Sequence, residues 1–138
     1  MKKLLCIASL AIIFLCGSCK EKVTDGQLIS EIELISPEQV YDAVHGDDMV
    51  QIVDVRTSDE YVVSHLKGAQ NICVTSSDFK EKVKDLDKDK PVYLYCKKGG
   101  RSAKAASIMK ELGFTKVYDM DGGLTNWEGQ GLETVQVP

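Results

Sequence analysis

The chain has 138 residues, room for one domain with a proper core. Its formal net charge of −4, with 28% of residues charged, argues against bulk nucleic-acid binding. His45 and His65 are the only histidines, and no Cys/His cluster has zinc-ligand spacing, so no metal and no organic cofactor is implied.

Residues 1–19 read as a targeting segment outside the fold. Lys2 and Lys3 form a positive start, and Leu4 to Leu15 is an apolar run too short for a comfortable membrane span. Leu15-Cys16-Gly17-Ser18-Cys19 follows. The small residues before Cys19 resemble a bacterial lipoprotein signal, in which the last cysteine is lipidated and becomes the first residue. Cys16 departs from that pattern, which prefers Leu, Val or Ala. The resemblance implies export and a lipid anchor on Cys19 in a bacterial cell membrane, with the domain facing the periplasm or the surface. Ordinary secretion and an uncleaved anchor are the alternatives. Residues 20–30 are polar and aperiodic and read as a linker, with Lys20-Glu21-Lys22 either a solvated stretch or a charged export signal. The domain occupies 31–138.

Loss of the leader removes Cys6 and Cys16, and Cys19 is expected to carry lipid, which leaves Cys73 and Cys96 as thiols. Two cysteines make no disulfide scaffold. Cys73 reads as a small strand hydrophobe, or as a redox partner if the fold brings it to Cys96.

From 31 onward, strand and helix signals alternate. Ile32 and Leu34 fit a first strand. Ser36-Pro37-Glu38-Gln39 combines an N-cap, a proline at the first helical position and a capping-box glutamine, so a helix should run to about His45. Met49 to Val55 is rich in β-formers, and Thr57-Ser58-Asp59-Glu60 caps a short helix towards Ser64. Asn71 to Val74 reads as a strand and Ser77 to Leu86 as a charged helix. Val92 to Tyr95 is an apolar strand after Pro91. Ser102 to Leu112 is an alanine-rich helix ending at Gly113 as a C′ glycine should. Val117-Tyr118 gives a last strand, and a short turn of helix lies near Leu124 to Trp127. This alternation predicts an α/β fold with a parallel sheet covered on both faces.

Cys96 sits at the carboxyl end of the Val92–Tyr95 strand, where parallel sheets bind ligands. Lys97, Lys98, Gly99 and Gly100 follow, and Arg101-Ser102 opens the next helix. Free backbone N–H groups, a helix N-terminus and nearby cations all favour an anion. A thiol there should ionise below the free value of about 8.5.

Cys96-Lys-Lys-Gly-Gly-Arg101-Ser102 resembles the active loop of rhodanese-like sulfurtransferases, C-x-x-G-x-R-S. Asp54-Val-Arg56, Glu60-Tyr61, His65, Gly68-Ala69 and Asn71-Ile72 resemble a second family signature, and Gly113-Phe114 through Val117-Tyr118 to Gly122-Gly123 and Trp127 a third. The ordered signatures span roughly Ile32 to Leu132. The resemblance implies about five parallel strands with helices on both faces, and Cys96 as a nucleophile that carries a persulfide. It implies transfer of sulfur from thiosulfate or a related sulfane donor to cyanide or a thiol.

Within that frame, the backbone of Lys97 through Ser102 (Lys97, Lys98, Gly99, Gly100, Arg101 and Ser102) is the expected substrate cradle. The lysines attract a dianion or are ordinary surface residues; Arg101 binds an oxyanion or pairs inward with a carboxylate. Asp54, Arg56, Glu60 and His65 are assigned structural support, with an ion pair expected between Arg56 and Glu60, and Trp127 core or rim. Three rival functions compete. A phosphatase of this fold uses C-x5-R, one residue longer than the spacing from Cys96 to Arg101. A carrier or binding module acting on a dedicated protein partner stays open. A thiol–disulfide oxidoreductase would want C-x-x-C, which the domain over 31–138 lacks.

Overall fold

The computed structural model describes residues 31–47 and 49–138; the expected leader, the Cys19 lipidation site and the linker fall outside them. The order is β1 (Glu31–Ile35), α1 (Pro37–Gly46), β2 (Gln51–Asp54), α2 (Ser58–Val63), β3 (Gln70–Asn71), α3 (Phe79–Lys82), β4 (Val92–Tyr95), α4 (Gly100–Glu111), β5 (Lys116–Met120) and α5 (Gly123–Gly129). The strands form one parallel sheet in the order β1-β5-β4-β2-β3.

Strand alternation distributes the core to both faces. Val53, Val92, Leu94 and Val117 pack against Phe79 of α3, Val83 just after it, and Ala105, Ala106 and Met109 of α4. Ile52, Tyr95 and Met120 point the other way, to Val40 of α1 and to Leu124 and Trp127 of α5. Helix starts follow local chemistry. Ser36 and Gln39 form the reciprocal bonds of a capping box at α1, at 3.3 and 2.9 Å. Thr57 and Glu60 do the same at α2.

Three elements differ from the sequence reading. The strand expected over Asn71–Val74 pairs only at Gln70–Asn71. The Asn71 side-chain amide takes the Arg56 carbonyl at 2.9 Å and shares the Asp54 carbonyl, at 3.1 Å, with the Ile72 N–H, and Val74 N–H goes to Val55 instead, so regular pairing stops after Asn71. The helix expected over Ser77–Leu86 is a short α3 followed by a 3-10 turn, Val83–Asp85. Its start has no side-chain cap, because Asp78 is engaged by Ser76 and Lys82. β5 is longer than Val117-Tyr118, since it runs through a buried acid, Asp119.

From β2 the chain moves outward to β3, and from β4 it moves the opposite way to β5. The carboxyl ends of β2 and β4 therefore flank the point where the winding reverses, the place an open α/β sheet offers a ligand.

Candidate active site

Cys96 follows β4 at that point and is 2% exposed. The chain then turns sharply. Gly99 adopts φ +107°, a left-handed conformation that glycine takes at little cost, and α4 starts at Gly100. The turn aims the Gly99 N–H at Cys96 Sγ, 3.1 Å away. The Ser102 hydroxyl lies 3.6 Å from the sulfur and also donates to the Gly99 carbonyl at 3.0 Å. Burial pushes the Cys96 thiol up. The Ser102 hydroxyl and the backbone N–H groups of Ser102, Lys98 and Gly99 outweigh it, and the net effect is a thiol more acidic than usual.

The loop is held from behind by the start of α5. Leu124 N–H donates to the Cys96 carbonyl at 2.8 Å and Thr125 N–H to the Lys97 carbonyl at 3.0 Å. With those carbonyls fixed, the loop N–H groups are left for the sulfur. The approach requires Gly123: a Cβ there, at φ +58°, would lie 2.5 Å from the Cys96 carbonyl oxygen and 2.8 Å from the Lys97 carbonyl carbon. Gly122-Gly123 entered the sequence reading only as part of a pattern; its physical task is this close backbone contact.

Arg101 points to α2. Its guanidinium makes a two-pronged pair with Glu60, at 2.6 and 2.8 Å, across the cleft between α2 and α4. The Arg101 bond holds the Glu60 carboxyl at about 2, well below the ordinary 4.5. Glu60 raises Arg101 in turn, with a smaller contribution from the Cys96 sulfur. The ion pair expected between Arg56 and Glu60 is replaced: Arg56 pairs instead with Asp54, both buried, and donates to the Ser64 carbonyl. Spacing within one segment suggested the wrong partner, because Glu60 is taken by a residue 41 positions away.

His65 is buried, stacked on Tyr61, and its Nδ1 lies 2.8 Å from the Tyr61 carbonyl. Trp127 is buried in the core, its indole N–H bound to the Glu133 carbonyl. Lys97, Lys98 and Gly100 are exposed at the rim. A cleft of about 300 Å³ beside them is lined by Arg56, Asp59, Glu60, Val63, Ser64 and Lys97. A larger depression, about 530 Å³, lies at the amino ends of β2 and β4, the opposite end of the sheet from the sulfur.

Cys73 is half-buried, with Sγ 3.1 Å from Thr75 Oγ1. Val55 lies between it and the loop: Val55 N–H bonds the Tyr95 carbonyl and Val74 N–H bonds the Val55 carbonyl. Two strand spacings of about 4.8 Å exceed the roughly 7 Å within which two cysteines can be bridged without backbone movement.

Taken together, a buried thiol of raised acidity, ringed by N–H donors and opening towards cations, suits an anion held on or beside sulfur. Among the described residues, no group of three or more His, Cys, Asp or Glu side chains is placed to hold a metal.

A family model for the rhodanese-like domain matches residues 36–130. The chain is 39% identical over 80 residues to the uncharacterized protein YqhL of Bacillus subtilis, covering 58% of this chain and 62% of that one. It is 33% identical over 101 residues to the putative sulfur carrier protein YrkF of the same organism, covering 73% of this chain and 54% of that protein. These matches span less than two thirds of those relatives' lengths. It is also 35% identical over 100 residues to the thiosulfate sulfurtransferase GlpE of Pseudomonas entomophila, covering 72% of this chain and 87% of that one. Among solved structures, a rhodanese-related protein from Thermoplasma volcanium superposes with a TM-score of 0.67 at 28% identity, covering 76% of this chain and 99% of that one. With the family's model matched over most of the described fold, this chain belongs to the rhodanese-like domain family.

Proposed function

We propose that the protein is a thiosulfate-type sulfurtransferase with Cys96 as its nucleophile. The observation that carries this reading is the convergence of the Gly99 N–H and the Ser102 hydroxyl on a buried Cys96 sulfur. In the first half-reaction the Cys96 thiolate attacks the outer sulfur of thiosulfate. The S–S bond of the donor breaks, sulfite leaves with its electron pair, and Cys96 becomes a persulfide. The loop N–H groups stabilise the negative sulfur, and Lys97 and Lys98 draw in the dianion. In the second, cyanide or a thiolate attacks the outer persulfide sulfur and the Cys96 thiolate departs. Arg101, held by Glu60, supplies positive charge near the sulfur and ties α4 to α2, while the Asp54–Arg56 pair braces the β2 end of the cleft.

The distance around the loop supports sulfur over phosphate. Four residues separate Cys96 from Arg101, and Arg101 is already occupied by a carboxylate. Lipid attachment at Cys19 of an exported chain completes the reading; it rests on Lys2, Lys3, the apolar run and the small residues before Cys19.

The test is thiocyanate formation from thiosulfate and cyanide by the wild type, Cys96→Ser and Cys73→Ala, with an aryl phosphate as control substrate. Turnover abolished only in Cys96→Ser supports the proposal. Turnover of the aryl phosphate, or thiocyanate formation that survives Cys96→Ser, refutes it.

A further inference from the structure

Asp119 has no part in the chemistry above, yet it is the most anomalous group near it. It stands in β5, aligned with Leu94 of β4 and Leu34 of β1, so its side chain shares the sheet face that α4 covers. It is 4% exposed, and its Oδ1 is buried without a hydrogen-bond partner. The neighbours aligned on that face are leucines. The polar group that reaches it from α4 is the Ser102 hydroxyl, and the charge that reaches it is that of Asp121, one residue past β5. Burial raises its carboxyl above the ordinary range, with Asp121 adding to this and Ser102 opposing it. A buried carboxyl with one oxygen left unsatisfied costs stability. Such a cost kept beside a nucleophile marks a group tied to function.

Ser102 joins the two. Its hydroxyl donates to the Gly99 carbonyl at 3.0 Å, lies 3.6 Å from the Cys96 sulfur, and is the buried polar group of α4 whose influence reaches the Asp119 carboxyl. We propose that Asp119 is a positioning residue for Cys96, acting through Ser102: the buried carboxyl and the sulfur compete for one hydroxyl proton. A protonated Asp119 donates to Ser102 Oγ and turns the hydroxyl proton to the sulfur. An ionised Asp119 takes that proton for itself and sets a negative charge behind the nucleophile. The Arg101 guanidinium acts on the same sulfur with the opposite sign, so Arg101 favours the thiolate while an ionised Asp119 opposes it. The proposal deepens the Cys96 reading, and rests on it for its catalytic meaning only.

The experiment reads the thiol directly, so its outcome is independent of whether thiosulfate is the donor. Alkylation of Cys96 by iodoacetamide, read by mass at the peptide that carries Cys96, is followed from pH 5 to 10 in the full chain carrying Cys73→Ala, with and without Asp119→Asn. Asparagine keeps the shape and a donor but removes the charge. The midpoint is expected to fall by about half a pH unit, which is about a threefold faster reaction below the midpoint. In a Ser102→Ala background the same Asp119→Asn change should move the midpoint by less than half as much, the non-additivity expected of a relayed contact. Asp119→Ser serves as a second variant if the amide does not fold, with the same expected direction. An unchanged profile in both Asp119 variants overturns the proposal, and so does a shift that persists in full without the Ser102 hydroxyl. A merely structural role would alter the thermal midpoint and leave the alkylation profile in place.

Discussion

Glu60→Gln separates charge from shape at the junction of α2 and α4. Glutamine can still accept from Thr57, so the capping box survives while the ionic bond to Arg101 is lost. At about 1.36 kcal/mol per pH unit, a carboxyl lowered from 4.5 to about 2 corresponds to at most about 3 kcal/mol. Both side chains are 32% exposed, and screening by solvent reduces this to about 1–2 kcal/mol. The folded-state value is depressed, so this stability is present above pH 4.5 and disappears as pH falls towards 2. Urea unfolding of the wild type and Glu60→Gln at pH 7 and pH 3 measures it. The wild type should be more stable by about 1–2 kcal/mol at pH 7, and the gap should be at least halved at pH 3. Equal stability at pH 7, or a gap that does not narrow with acid, would refute the assignment of Glu60 as the ionic anchor of Arg101.

Three further outcomes follow from the site. Gly123→Ala forces a Cβ into the Cys96 and Lys97 backbone at a left-handed φ, so it should cost about 3 kcal/mol or more and displace the loop, read by thermal unfolding and by slower alkylation of Cys96. Gly100→Ala, with open space around the new methyl and an intact N–H, should leave alkylation unchanged and stability equal or slightly higher in the same assays. Asp54→Asn or Arg56→Met leaves a buried charge unpaired; each should lose about 3–5 kcal/mol in denaturant unfolding.

The regular parts of this molecule were legible because local chemistry decides them. Ser36 to Gln39 and Thr57 to Glu60 carry their helix caps in four residues each, and β4 with its glycine turn announces a strand, a break and a helix. What escaped was which side chains pair. The partner of Arg101 lies 41 residues earlier, and Arg56 turned to Asp54, two residues before it, as its own loop curled. The two-residue β3 could not be foreseen from Asn71 to Val74, since the Asn71 side-chain amide occupies the Arg56 carbonyl and shifts Val74 N–H to Val55. Asp119 was hidden inside a strand that was read as ending one residue earlier. A lone acid between Val117 and Met120 in a β-rich run was the available signal. The Tyr95 hydroxyl, which accepts the Leu66 N–H from 29 residues away, left no local trace at all.

The central claim is that sulfur resides on Cys96. Intact-protein mass of residues 20–138 after incubation with thiosulfate tests it, beside Cys96→Ala and Cys73→Ala. The wild type and Cys73→Ala should each gain one sulfur, Cys96→Ala none, and that mass should be lost as thiocyanate when cyanide is added. A folded, reduced sample that gains no sulfur, or one that gains it without Cys96, would show that Cys96 does not carry sulfur from thiosulfate.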